Sequence, residues 1–216
     1  MAWATWANPN SMALQATETF PYSDGELESV AGGAWTTPYA SEIILTLASS
    51  VLQTTYVGGR KTPYIAAVVP DSDDQACESR GPSSTGGLNL GAGVVIRASA
   101  TGGYFLTHEK YPRVLRASGD WATWTQLAGG AALYPPQIIL QAVGNNIKAW
   151  AKKYNASTFT AVCDVTDAAY ASGAVGLCGT RAIDSTPFCD TWYLHSVETA
   201  AGPSIPILVH YYANQL

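Results

Sequence analysis

The chain has 216 residues, enough for one large β-domain with a sizeable core. Only 12% of them are charged, the formal net charge is −5, and the cations occur in small knots (Arg60-Lys61, Lys152-Lys153, Arg113 with Arg116). No basic stripe exists to track phosphates, which argues against nucleic acid as a partner. The same low charge leaves two readings open, a quiet surface of small polar residues or a surface covered by neighbours in an assembly.

From the N-terminus, Met1 to Pro9 has neither the basic start nor the apolar stretch of a secretory signal, and no window approaches the ~18 apolar residues of a membrane span. Synthesis in a cytoplasm without a signal peptide, and no membrane partner, are therefore expected. Phe20 to Trp35 carries Asp24-Gly-Glu-Leu27 and Gly32-Gly-Ala-Trp35, and its glycine-bounded segments match the segment Ser172 to Val197 near the other end. The expectation is a sandwich whose two chain ends lie side by side. Ser41 to Leu52 and Tyr64 to Val69 read as strands, and Pro70-Asp-Ser-Asp-Asp74 as a loop. Leu88 to Ala98, with Gly93-Val-Val-Ile-Arg97, is a central strand answered across Gly102-Gly103 by Tyr104 to His108.

Tyr111 to Ala117 and Trp121 to Leu127 follow, separated by Ser118-Gly-Asp120. Gln137 to Val143 and Ile147 to Tyr154 form a hairpin about Gly144-Asn-Asn146, whose residues tolerate positive φ. Thr158 to Asp164, Gly173 to Cys178 and Thr191 to Val197 complete the strands, with a single helical turn over 166–171. No window carries a sustained 3.6-residue apolar period. Short strands at regular spacing with Gly, Asn, Asp and Pro turns define an all-β antiparallel sandwich or jelly roll.

The order Asp24-Gly-Glu-Leu27, Trp35, Gly93-Val-Val-Ile-Arg97, Tyr104-Phe105, Arg113-Val-Leu-Arg116, Trp124-Thr-Gln-Leu127, Leu140 to Ile147, Thr166 to Tyr170 and Gly173-Ala-Val-Gly-Leu177 resembles the concanavalin A-like lectin/glucanase jelly roll. It is most similar to the laminin-G-like modules of bacteriophage structural proteins and of some carbohydrate-active enzymes. The likeness spans residues 18–198 as one domain, with 1–17 as an N-terminal arm and 199–216 as a C-terminal strand or arm. It implies a non-enzymatic virion protein, a head decoration, tail or fibre component, with other virion proteins and its own copies as partners and a host-surface glycan as a further contact. The alternative is a stand-alone carbohydrate-binding module, and a weaker one an enzyme with displaced carboxylates.

Catalysis is disfavoured by the residues themselves. Glycoside hydrolysis needs two carboxylates flanking the bond, and the glucanase run Glu-x-Asp-x-x-Glu is absent from this sequence. His108, His195 and His210 are the only histidines, and there is no Gly-x-Ser-x-Gly elbow. His195 reads as a structural or surface residue, expected on the face opposite Tyr193. Cys77, Cys163, Cys178 and Cys189 lack any zinc spacing and read as buried thiols, with a bridge among the last three left open.

Relatives with this fold often hold calcium at the sandwich edge. Asp24, Asp184 and Asp190 would converge on one if the chain ends pair, although Asp-Gly and Asp-Ser form turns in their own right. The expectation is no cofactor. Candidate sugar-stacking aromatics are Trp121, Trp124, Tyr104 and Tyr111, with Tyr134 beyond them, and core packing is the default for each; Trp121 and Trp124 are an odd number apart, so one packs inward and the other is exposed, while Trp35, Trp150 and Trp192 are assigned to the core. Trp3, Trp6, Ile207, Leu208, Val209, Tyr211 and Tyr212 make both terminal segments too apolar for free tails, and are expected to contact other subunits.

Overall fold

A computed structural model describes residues 12–37, 43–49, 51–56, 62–81, 92–133, 135–179 and 189–197. In chain order the strands are β1 (Ala13–Glu18), β2 (Gly25–Glu26), β3 (Trp35–Thr36), β4 (Ile43–Ala48), β5 (Val51–Tyr56), β6 (Thr62–Ala66), β7 (Gln75–Arg80) and β8 (Ala92–Ser99). They continue as β9 (Gly102–Thr107), β10 (Arg113–Ser118), β11 (Thr123–Gly129), β12 (Gln137–Val143), β13 (Asn146–Lys152), β14 (Thr160–Thr166), β15 (Ala174–Gly179) and β16 (Thr191–Ser196). One short helix, α1 (Leu27–Val30), follows β2.

The described strands form a six-stranded sheet, β1-β16-β7-β12-β13-β14, and a seven-stranded sheet, β11-β10-β9-β8-β15-β6-β3, with β2-β4-β5 as a small third sheet. Every described pairing is antiparallel. Alternation explains the layering: Ile138, Leu140, Ala149 and Leu194 of one sheet meet Val94, Ile96, Leu106 and Leu177 of the other in one buried cluster. Trp192 meets Trp35 edge-on at 5.3 Å between ring centroids, and Phe20 lies 5.9 Å from Trp35, so the aromatic closing strand locks onto the N-terminal segment.

The chain ends do lie side by side, since β1 pairs with β16 from Ala13 opposite Ser196 to Glu18 opposite Trp192. This strand moves the start of the sandwich to Ala13, so residues 13–17 belong to the six-stranded sheet and not to an arm. The run 41–52 is a hairpin, not one strand: Ser49 adopts φ 53° and turns β4 into β5. No helical turn forms over 166–171; the Asp167 carboxylate instead accepts the Ala169 N–H at 2.9 Å, closing the loop from the side chain. Strand β7 was not legible at all. Its sequence, Gln-Ala-Cys-Glu-Ser-Arg, has little β-propensity, yet it lies between β16 and β12 with five of its six residues buried.

All four cysteines are free and buried, so no bridge links Cys163, Cys178 and Cys189. Burial pushes the Cys163 and Cys189 thiols up to about 12, which keeps them inert. No described helix is long and apolar enough to cross a membrane.

Candidate functional site

The four aromatics expected to stack on a ligand are not brought together. Trp121 is 1% exposed. Gly119, Asp120 and Trp121 all take positive φ, a turn that folds the indole back so that its Nε1 donates to the Ser99 carbonyl at 3.0 Å. There it packs 6.5 Å from Phe105. With Val95, Leu115, Ala117 and Cys178 it closes the outward side of the seven-stranded sheet in a second apolar cluster. Tyr104 is fully buried and points inward, its hydroxyl donating to Asp167 Oδ1 at 2.6 Å. Arg116 donates to the other oxygen of Asp167 at 2.6 Å. Burial would raise the Asp167 pKa, but the donors Tyr104, Ala169 N–H and Arg116 bring it below the ordinary carboxylate value.

Trp124 and Tyr111 remain open, at 46% and 52%. They belong to opposite ends of β10, since Trp124 pairs with Ala117 while Tyr111 precedes Arg113. At roughly 3.3 Å per residue they stand on the order of 15–20 Å apart, too far to share one sugar ring.

Two of the three expected metal ligands serve turns. Asp24 accepts the Ser49 N–H at 2.7 Å and Asp190 accepts the Thr191 hydroxyl at 3.0 Å, both turn chemistry. Asp184 lies outside the described residues, as do Tyr134, Trp3, Trp6, Ile207, Leu208, Val209, Tyr211 and Tyr212. Among the described residues no three His, Cys, Asp or Glu side chains group to hold an ion. One set of oxygens does resemble a calcium ligand set, the carbonyls of Asp73, Gly144 and Tyr170. Those carbonyls are already taken by the buried guanidinium of Arg97, at 2.9, 2.6 and 3.2 Å, with the Asp74 carboxylate 3.7 Å away. The residues present therefore do not fit a metal at this end of the sandwich.

A nucleophile–base geometry exists that sequence reasoning missed. Ser79 Oγ lies 2.9 Å from His108 Nε2, and His108 Nδ1 lies 3.1 Å from the Pro135 carbonyl. A carbonyl only accepts, so Nδ1 carries the proton and Ser79 donates to Nε2. Both side chains are buried, and burial drives the His108 pKa down to about 4. No substrate reaches this pair, which satisfies polar groups inside the core.

The polar ensemble that does reach a cleft is built on β7, β12, β13 and β16. Glu78 accepts from His195 Nε2 at 2.9 Å, Arg80 Nε at 2.6 Å and Gln137 Nε2 at 2.5 Å. Burial alone would raise its pKa; the three donors bring it below the ordinary carboxylate value. Arg80 also lies over the Tyr193 ring, 4.6 Å from its centroid. Tyr193 and His195 share one face, stacked at 6.0 Å, as the two-residue period of a strand requires, so the expected opposite placement is corrected. His195 Nδ1 is buried and has no hydrogen-bond partner among the described residues.

Beyond Glu78 the sheet ends in a cleft of about 240 Å³, lined by Arg80, Gly81, Pro136, Gln137, Lys152, Lys153, Tyr154, Asn155 and Ala156. Register sets its floor, because Arg80 pairs with Gln137 and Gln137 with Lys152, one row across three adjacent strands. The β13–β14 turn sets its wall: Asn155 takes φ 62°, a conformation Asn tolerates, and Tyr154 is left 41% exposed. The sequence signal for this site was the turn after Lys152-Lys153; without β7, nothing placed Arg80 beside it.

No protein-family model matches the chain, and no curated protein matches it. Solved structures do match by shape. Carbohydrate binding module CBM66 from Bacillus subtilis superposes with a TM-score of 0.50 at 16% identity, covering 76% of this chain and 93% of that one. The exoplasmic/lumenal domain of VIP36 in its Ca²⁺-bound form gives 0.52 at 10% identity, covering 76% and 84%. Its metal-free form gives 0.51 at 10% identity, covering 86% and 93%. At such identities the likeness concerns the fold, which is an antiparallel β-sandwich of the concanavalin A-like jelly-roll type.

Proposed function

We propose that the protein is a non-catalytic carbohydrate-binding module whose ligand docks in the cleft at the end of β7, β12 and β13. The observation that carries this reading is the half-open Tyr154 lining one cleft together with the amides of Gln137 and Asn155. A sugar needs a flat apolar face for its CH groups and amides for its hydroxyls, and these residues supply both. The cleft is smaller than the roughly 300–1,000 Å³ of enclosed ligand pockets, so it suits one residue of a longer glycan. One fold neighbour is itself a carbohydrate binding module, which agrees with the reading without deciding it.

The non-catalytic part rests on the carboxylates. Glu78 is held as an anion by three donors, Glu109 pairs with Arg113, and no carboxylate is among the residues lining the cleft. Hydrolysis needs an acid and a second carboxylate across the bond. The test is a panel of immobilised oligosaccharides probed with wild-type protein and Tyr154→Ala. Binding to at least one glycan, weakened tenfold or more by the substitution, is expected. A silent panel, or a variant that binds like wild type, refutes the site.

A further inference from the structure

Resting on the binding reading above, we infer that the cleft selects an acidic saccharide, one whose ring bears a carboxylate. Cations are scarce in this chain. The whole chain holds eleven Lys and Arg and is net acidic, yet Arg80, Lys152 and Lys153 line this one cleft. Cross-strand register makes the juxtaposition unavoidable: Arg80 and Lys152 flank Gln137 in a single row, so strands about 4.8 Å apart hold the two cationic residues near 10 Å from one another. Lys153 adds a third charge from the turn.

Glu78 offsets Arg80 through their ion pair, and no acid among the lining residues balances Lys152 and Lys153. The Glu78 carboxylate, beneath Arg80 and Gln137, is engaged by His195, Arg80 and Gln137 together. Lys152 also lies 5.8 Å from the Phe159 ring, a contact that steadies its stem without cancelling its charge. Like charges gathered on an otherwise cation-poor surface raise the local potential and draw an anion into the cleft. The neighbouring ring and amides ask for a sugar at the same place. A carboxylated sugar answers both demands, with its carboxylate at Lys152 and Lys153 and its ring against Tyr154.

The test is calorimetric titration of the full chain with trimers of galacturonate and mannuronate and with sialyllactose, each beside its carboxyl-reduced counterpart, at low and physiological salt. Sulfated disaccharide and single-stranded DNA are the other anionic probes. We expect at least one carboxylated sugar to bind, its reduced counterpart to bind tenfold or more weakly, and affinity to fall as salt rises. Lys152→Gln and Lys153→Gln should each weaken binding several-fold, while Lys110→Gln, which removes the same charge elsewhere, should not. Thermal melting confirms that each variant folds.

Equal binding of acidic and reduced sugars, lost in Tyr154→Ala but kept in both cleft lysine variants, leaves a neutral-sugar site and overturns the inference alone. Tighter binding of the sulfated sugar assigns the wrong anion and overturns it as well. Binding of DNA as strong as that of any uronate, with the same dependence on the lysines, makes the cleft an unselective polyanion site and does the same. Absence of binding by every sugar, or indifference to Tyr154→Ala, removes both the inference and the reading beneath it.

Discussion

His108 stores a pH dependence inside the core. Its pKa is about 6.5 in an unfolded chain and about 4 when buried in the fold. Between these values the unfolded chain binds the proton and the native protein does not, so stability present above pH 6.5 is lost as pH falls toward 4. The slope is at most about 1.4 kcal/mol per pH unit, and roughly 3 kcal/mol is lost across the window. Urea unfolding at pH 7.5, 6.5, 5.5 and 4.5 should show this decline, and His108→Gln should flatten it at a cost in stability at neutral pH. An unchanged slope in the variant would place the titration elsewhere. Glu78 acts below that window: its pKa lies under the ordinary 4.5, so its contribution is whole above pH 4.5 and fades as pH drops through the native value.

Strand β7 shows where sequence legibility ended. Hairpins with strong local signals were readable, β12 with β13 above all, because two apolar runs about a Gly-Asn-Asn turn state their pairing locally. Strand β7 has no such signal; it is a strand because β12 and β16 supply hydrogen-bond partners on both sides. Glu78, Ser79 and Arg80 vanished from the sequence reading with it, and so did the cleft. That one of Trp121 and Trp124 packs inward was legible from their odd spacing, but which one was not, since a positive-φ turn decides it.

Arg97 ties such distant elements together, joining the loop before β7 to those after β12 and β14. Arg97→Met should cost roughly 1–3 kcal/mol, because the loop carbonyls of Asp73, Gly144 and Tyr170 lose a shared charged donor. Gly173 serves the same junction with φ 145°. A Cβ there would meet the Ala98 carbonyl oxygen at 2.6 Å, so Gly173→Ala should also lower the melting temperature. A melting temperature unchanged in both variants would show that this end of the sandwich is not a stabilising junction.

For the whole chain, truncation tests the expectation that the apolar terminal segments contact other subunits. Removing 205–216 is expected to leave the sandwich folded, by circular dichroism, while lowering the native mass seen by light scattering. Unfolding of the truncated chain would make that segment a core strand; an unchanged native mass would end the assembly role.

The pairing of β1 with β16 has a consequence for how the protein is made. Glu78 and His195 are 117 residues apart, and β16 is the strand that joins β1 to β7. At roughly 5–20 residues per second, a ribosome delivers His195 on the order of ten seconds after Glu78. Throughout that interval β7 is an unpaired edge, β1 has no neighbour, and the carboxylate beneath the cleft lacks one of its three donors. A nascent chain stalled before residue 191 is therefore expected to remain protease-sensitive at β1, and the six-stranded sheet to close only once β16 has been made.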